Sequence, residues 1–193
     1  MTKWLSHRMV ERGIIKEEEQ ELYQFGIRNG MILLLNVVTA LVIGLLTEQL
    51  AVVAVFTLSF MVLRSYTGGY HSDGRIFCYL GSNLVLLVPV YTQAVFYKTS
   101  LAWLLAVLLV SAGIIFLLSP MHSKNRKLDK EEQKHFGRKA RLIAALELAV
   151  LGILWHAGQI PYAYAVYTGI CITALFMLIG KAQLWIQSHT ENG

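Results

Sequence analysis

The chain has 193 residues, of which 55% are hydrophobic and only 15% charged, against about 25% charged in ordinary globular proteins. With a mean hydropathy of +0.52 there is too little polar surface to cover a soluble core, and three prolines and two cysteines exclude a disordered chain, a collagen-like repeat and a secreted disulfide scaffold. The net charge of +5 does not point to nucleic acid: eight of the 17 Lys and Arg fall between Lys124 and Arg141 and five more precede residue 29, as in the cytoplasmic segments of a multi-span membrane protein.

Residues 1–29 interleave Trp4, Leu5, Met9, Val10, Ile14, Ile15, Leu22 and Phe25 with charges, which suits an amphipathic helix on the membrane surface, broken near Gly13. A frayed, solvated leader is the alternative. The acidic run Glu17, Glu18, Glu19 and Glu21 precedes the first apolar run at Met31, so a secretory signal is not expected.

Six apolar blocks follow, at roughly 30–47, 50–63, 79–97, 101–119, 141–157 and 161–180. The expected fold is all-α: one polytopic membrane domain over 1–193, with about six transmembrane helices behind the amphipathic segment. The second block is short unless Thr47 to Gln49 join it, so four spans with two shallow helices is the competing count. With six spans, 16 of the 17 Lys and Arg lie on one side and only Lys98 on the other, which predicts a multi-pass membrane protein with both termini cytoplasmic. The connection 120–141 is the one long polar stretch; Pro120 ends the fourth block, and a short helix is expected from Asp129 to His135.

The segment Arg64-Ser65-Tyr66-Thr67-Gly68-Gly69-Tyr70-His71-Ser72-Asp73-Gly74-Arg75-Ile76-Phe77-Cys78 stands apart. Three glycines in seven residues oppose a continuous helix, and polar non-helical backbone beside a membrane needs a cavity or a protein wall around it. His71 and Cys78 are the minimum for thiol catalysis: the imidazole takes the thiol proton and the thiolate attacks a carbonyl. On one straight helix they would stand about 10 Å apart along the axis, so they meet only if the chain folds back between them. Gly74 allows that fold, Asp73 could cap the next helix, and Cys78 would enter its first turn, where the helix dipole favours a thiolate. A packing cysteine and a hydrogen-bonded histidine are the plain alternative.

Arg64, Gly68-Gly69-Tyr70-His71 and Cys78 at this spacing resemble the core motif of the accessory gene regulator B (AgrB) family. The short chain, the six blocks and the basic connection agree with that family as well. The resemblance implies a membrane cysteine endopeptidase that removes the C-terminal tail of a short amphipathic, AgrD-like quorum-sensing propeptide. Cys78 would be the nucleophile and His71 the general base. An acyl-thioester would form on Cys78, and a thiol or hydroxyl of the same peptide would close a thiolactone or lactone. Arg64, Gly68, Gly69, Ser72, Asp73 and Asn83 are candidate supporting residues. The basic stretch, including Lys124, Arg126, Lys127 and Lys130, would dock an acidic part of the substrate; anchoring to anionic lipid explains the same charges. The family also implies a bacterial cell membrane as the location and a homodimer as the assembly.

The other signals are plainer. Cys171, between Ile170 and Ile172, suits core packing, and a Cys78–Cys171 disulfide is not expected facing a reducing cytoplasm. No metal or other cofactor is expected, because the scattered histidines form no HExxH and there is no CxxC. A serine elbow is missing, and Asp73 and Asp129 cannot form an intramembrane aspartate pair. Glu147, inside the fifth block, should face the interior or water, with Arg141 or Lys139 as partners if its role is structural. Asn36, Asn83 and Gln93 suit helix-to-helix hydrogen bonds. A small transporter using Glu147, and a non-enzymatic scaffold, are the competing functions.

Overall fold

The structure is a computed structural model, and it describes residues 2–68, 75–121 and 129–190. Among the described residues there are helices and turns and no strands: α1 Thr2–Glu11, a 3-10 turn at Glu17–Glu19, α2 Gln20–Leu46, α3 Leu50–Thr67, α4 Arg75–Tyr91, α5 Gln93–Lys98, α6 Leu101–Leu118, α7 Lys130–His156 and α8 Ile160–Thr190. The chain divides into two compact units, one ending at Thr39 and the other beginning at Ala40.

In the first unit, α1 stops at Glu11, and Gly13 takes φ +66°, a conformation open to glycine at little cost. Trp4 and Ile14 are exposed, and the Arg8 guanidinium lies 5.0 Å from the centre of the Trp4 ring. From Gln20 the chain forms one helix to Leu46, continuous through position 29.

The second unit is built around α8, which packs against α3, α6 and α7 and more lightly against α4 and α5. One side of its core joins Leu63 of α3, Ile115 of α6, Ala144 of α7, and Val166, Ile170 and Met177 of α8. The other joins Val53 and Phe56 of α3, Leu86 of α4, and Ala165 and Ile172 of α8. Small residues let these backbones approach, as in membrane bundles. At Gly169 a Cβ would stand 2.6 Å from the Ser59 hydroxyl oxygen.

The molecule is an all-α membrane protein. Among the described residues, four helical stretches are long and apolar enough to cross a bilayer: Glu17–Leu46, Leu50–Thr67, Leu101–Leu118 and Ile160–Ile186. The membrane character is plainest in α6. It is apolar all round, yet Leu117 is 82% exposed and Trp103 69%, surface that a soluble protein would not present and a bilayer would cover.

Three boundaries differ from the expectation from sequence. The second block reaches spanning length at its other end: Thr47 to Gln49 form the turn after α2, and α3 runs on through Arg64 to Thr67. The third block is two helices. Pro89 has no N–H to continue the ladder, α4 ends at Tyr91, and Thr92 turns back to the Val88 carbonyl through both its N–H (3.0 Å) and its hydroxyl (2.8 Å). The short helix expected from Asp129 to His135 is the start of α7, which continues without interruption into the fifth apolar block.

Candidate active site

The unusual segment begins on a helix and resumes on one. Arg64 to Thr67 form the last turn of α3, and Gly68 caps it with φ +71° and ψ −153°, its N–H donating to the Arg64 carbonyl at 3.3 Å. That backbone conformation is essentially reserved for glycine. A Cβ at Gly68 would also fall 2.7 Å from the Met121 carbonyl oxygen. The Met121 N–H in turn donates to the Thr67 carbonyl at 2.9 Å. The chain leaving α6 is therefore stitched to the chain leaving α3, immediately before each enters its glycine-rich or basic segment.

Arg64 holds the same corner. One guanidinium nitrogen donates to the Gly68 carbonyl at 3.3 Å, and the group lies 4.9 Å from the centre of the Phe176 ring on α8, a cation–π distance. α7 closes the other flank. The Tyr66 ring meets Phe136 with centroids 6.5 Å apart, and the Lys139 amine stands 5.9 Å from the centre of the Tyr66 ring. Gly137 lets α7 approach residues 119–120, since its Cβ would lie 3.0 Å from Pro120 Cδ. Tyr66, Met121, Gly137 and Lys139 had no sequence signal as site residues; their part depends on which helices pack together.

Arg64 and Gly68 are thus brought together. Gly69, His71, Ser72 and Asp73 lie outside the described residues, as do Lys124, Arg126 and Lys127. Cys78 falls in the first turn of α4 and Lys130 opens α7, with their side chains outside the described set. Asn83 is on α4 as well, five positions beyond Cys78, or about 140° around a regular helix. Its side-chain oxygen is buried with no hydrogen-bond partner among the described residues. Ser82 is just over one turn on from position 78 and shares its face of α4, as do positions 81 and 85.

Glu147 pairs with neither expected cation. Its carboxylate accepts a hydrogen bond from the Ser59 hydroxyl at 2.9 Å, while Lys139 lies over Tyr66 and the Arg141 Nε donates to the Phe116 carbonyl at 3.2 Å. Residues 139 and 141 are too far back along α7 to be the neighbours, three or four positions away, that meet on a helix. Cys171 is a free thiol, half-buried on α8 beside Ser111 and Tyr167. Among the described residues no three His, Cys, Asp or Glu side chains converge as metal ligands would.

Residues 1–179 match the family model for accessory gene regulator B. Curated relatives include an AgrB-like protein of Clostridium perfringens, 22% identical over 148 residues, covering 74% of this chain and 69% of the relative. A second AgrB-like protein of Clostridium perfringens is 24% identical over 131 residues, 65% of this chain and 61% of its own length. The accessory gene regulator protein B of Staphylococcus intermedius is 26% identical over 156 residues, 79% of this chain and 80% of the relative. No solved structure matches the chain.

Proposed function

From the premise that the chain belongs to the accessory gene regulator B family, we propose that it is a membrane-embedded cysteine endopeptidase that releases the C-terminal tail of a quorum-sensing propeptide and promotes its cyclisation. Membership supports a role in processing such a peptide. The finer reading rests chiefly on one observation: α3 is stopped at Gly68, and the next helix begins so that Cys78 falls in its first turn. Between them lies a length of chain that can carry His71 back toward the thiol, which a continuous helix could not do.

In the proposed reaction His71 takes the Cys78 proton and the thiolate attacks the carbonyl before the tail. The C–N bond breaks, the tail's amine leaves with the proton held by His71, and the remaining peptide stays as a thioester on Cys78. A thiol or hydroxyl within that peptide then attacks the thioester, closing the ring and returning a proton to Cys78. A wall that excludes water favours ring closure over hydrolysis. Arg64 and Gly68 set where the segment starts. Backbone N–H groups at the head of α4, with Ser82 on the following turn, are the proposed environment of the developing oxyanion.

The partner is an AgrD-like propeptide, and a homodimer is the assembly the family implies. The test is tail release from a candidate propeptide by protein reconstituted in liposomes. Cys78→Ala and His71→Ala should each lower the rate at least about a hundredfold, the lower bound of the usual acid–base contribution, while Cys171→Ala stays near wild type. Release by Cys78→Ala at the wild-type rate would remove the cysteine mechanism.

A further inference from the structure

At the end of the helical bundle opposite Gly68, α6, α7 and α8 do not close on one another. They leave a cavity of about 260 Å³, with Phe96 of α5 at one corner. Its wall is formed almost wholly by leucines and aromatic rings, and side-chain polar atoms are confined to Trp155, His156 and Tyr167. The volume would hold roughly eight waters at ~30 Å³ each, but a buried water needs two to four polar partners, and this wall cannot supply them for so many. The Tyr167 hydroxyl is already engaged beside Cys171. An apolar occupant fits the wall.

The opening decides which kind. Leu101 and Leu105 line the cavity and are 52% and 48% exposed, so it opens sideways through the outer face of α6. α6 and α8 are both long and apolar enough to span a bilayer, and what lies beside such a face is lipid hydrocarbon. Lys98 ends α5 between Phe96 and Leu101, both of which line the cavity, and it is exposed. The sequence carries no Asp or Glu between Asp73 and Asp129. Glu48, in the turn between α2 and α3, shares that end of the bundle without ion-pairing to Lys98. An apolar slot with a cation at its rim is complementary to a chain bearing a phosphate.

We propose that the cavity between α6, α7 and α8 binds one acyl chain of an anionic phospholipid, with Lys98 and His156 at the rim meeting its headgroup. Gly152 supplies the means of testing this. It lines the cavity, and a Cβ placed on it meets nothing within 4 Å, so a side chain can grow into the space.

The experiment is native mass spectrometry of the full chain released from detergent containing equal phosphatidylglycerol and phosphatidylcholine. The wild type should retain one lipid per chain, with phosphatidylglycerol favoured about fivefold, the effect of one lysine near an anionic headgroup. Gly152→Phe should lose the retained lipid while Gly152→Ala keeps it. Lys98→Gln should keep a lipid but bring the two headgroups to near parity. Leu105→Trp is a second filling variant should Gly152→Phe lose its helicity or its elution position. Retention of the same lipid by both filling variants would overturn the proposal, as would equal retention of both headgroups by the wild type. Loss of a dimer, with lipid retained, in the filling variants would assign the cavity to a second copy of the chain instead.

Discussion

At Gly68 two demands coincide: a backbone with φ +71° and ψ −153°, and a Met121 carbonyl oxygen 2.7 Å from where a Cβ would be. Gly68→Ala is expected to cost about 1–3 kcal/mol in strain and to push the chain after α6 away from α3. Thermal unfolding in detergent and the rate of tail release should both fall, the rate by more than the lost folded fraction explains. An unchanged rate in a folded Gly68→Ala would separate this corner from the proposed chemistry. Three glycines in seven residues made the break legible in the sequence, because glycine frees the backbone whatever surrounds it. The contact with Met121 was not legible, since it depends on a residue brought in by a different helix. Glu147 shows the same limit. That a carboxylate in an apolar block must find a partner follows from solvation, but Ser59 could be identified only once α3 and α7 were seen side by side.

Among the elements, α3 and α8 cross where Ser59 meets Gly169. The crossing carries the segment that leads to His71, because α3 ends at Thr67. Gly169→Leu should overpack this contact and destabilise the protein by about 1–3 kcal/mol. Ser59→Ala, which removes one hydrogen bond to Glu147, should cost less, near the ~0.6 kcal/mol average for interhelical hydrogen bonds in membranes. Reversible unfolding in mixed micelles would rank them, and the opposite order would mean that the polar contact, not the close approach, holds the helices together. Helix existence was readable from apolar blocks because hydropathy needs no tertiary knowledge. Helix ends were less so. Pro89 and Thr92 split one apolar block into α4 and α5, and α7 begins well before its block because its charged first turns are good helix formers.

Across the whole molecule, the exposed apolar faces and the placement of charge tell one story. Apolar surface such as that of Leu117 and Trp103 is for lipid, while the basic residues gather where α6 ends and α7 begins. The Met121–Thr67 hydrogen bond starts the basic segment beside the one that contains His71. On the proposed reading, Lys124, Arg126, Lys127 and Lys130 dock an acidic peptide tail. Replacing all four with Gln should raise KM for an acidic-tailed propeptide well beyond its effect on a neutral-tailed one. Equal effects would leave topology and lipid anchoring as the use of these charges.

The proposed reaction passes through a covalent intermediate on Cys78, which intact-protein mass spectrometry reads directly. The liposome-reconstituted chain would be quenched in acid shortly after mixing with a propeptide whose ring-closing residue is replaced by Ala, so that the intermediate cannot cyclise. Wild type and Cys171→Ala should gain the mass of the tail-less peptide, with the adduct removed by hydroxylamine as a thioester requires. Cys78→Ala should gain nothing. The same adduct on Cys78→Ala, or tail release with no adduct on the wild type at any quench time, would rule out a thioester on Cys78 as the intermediate.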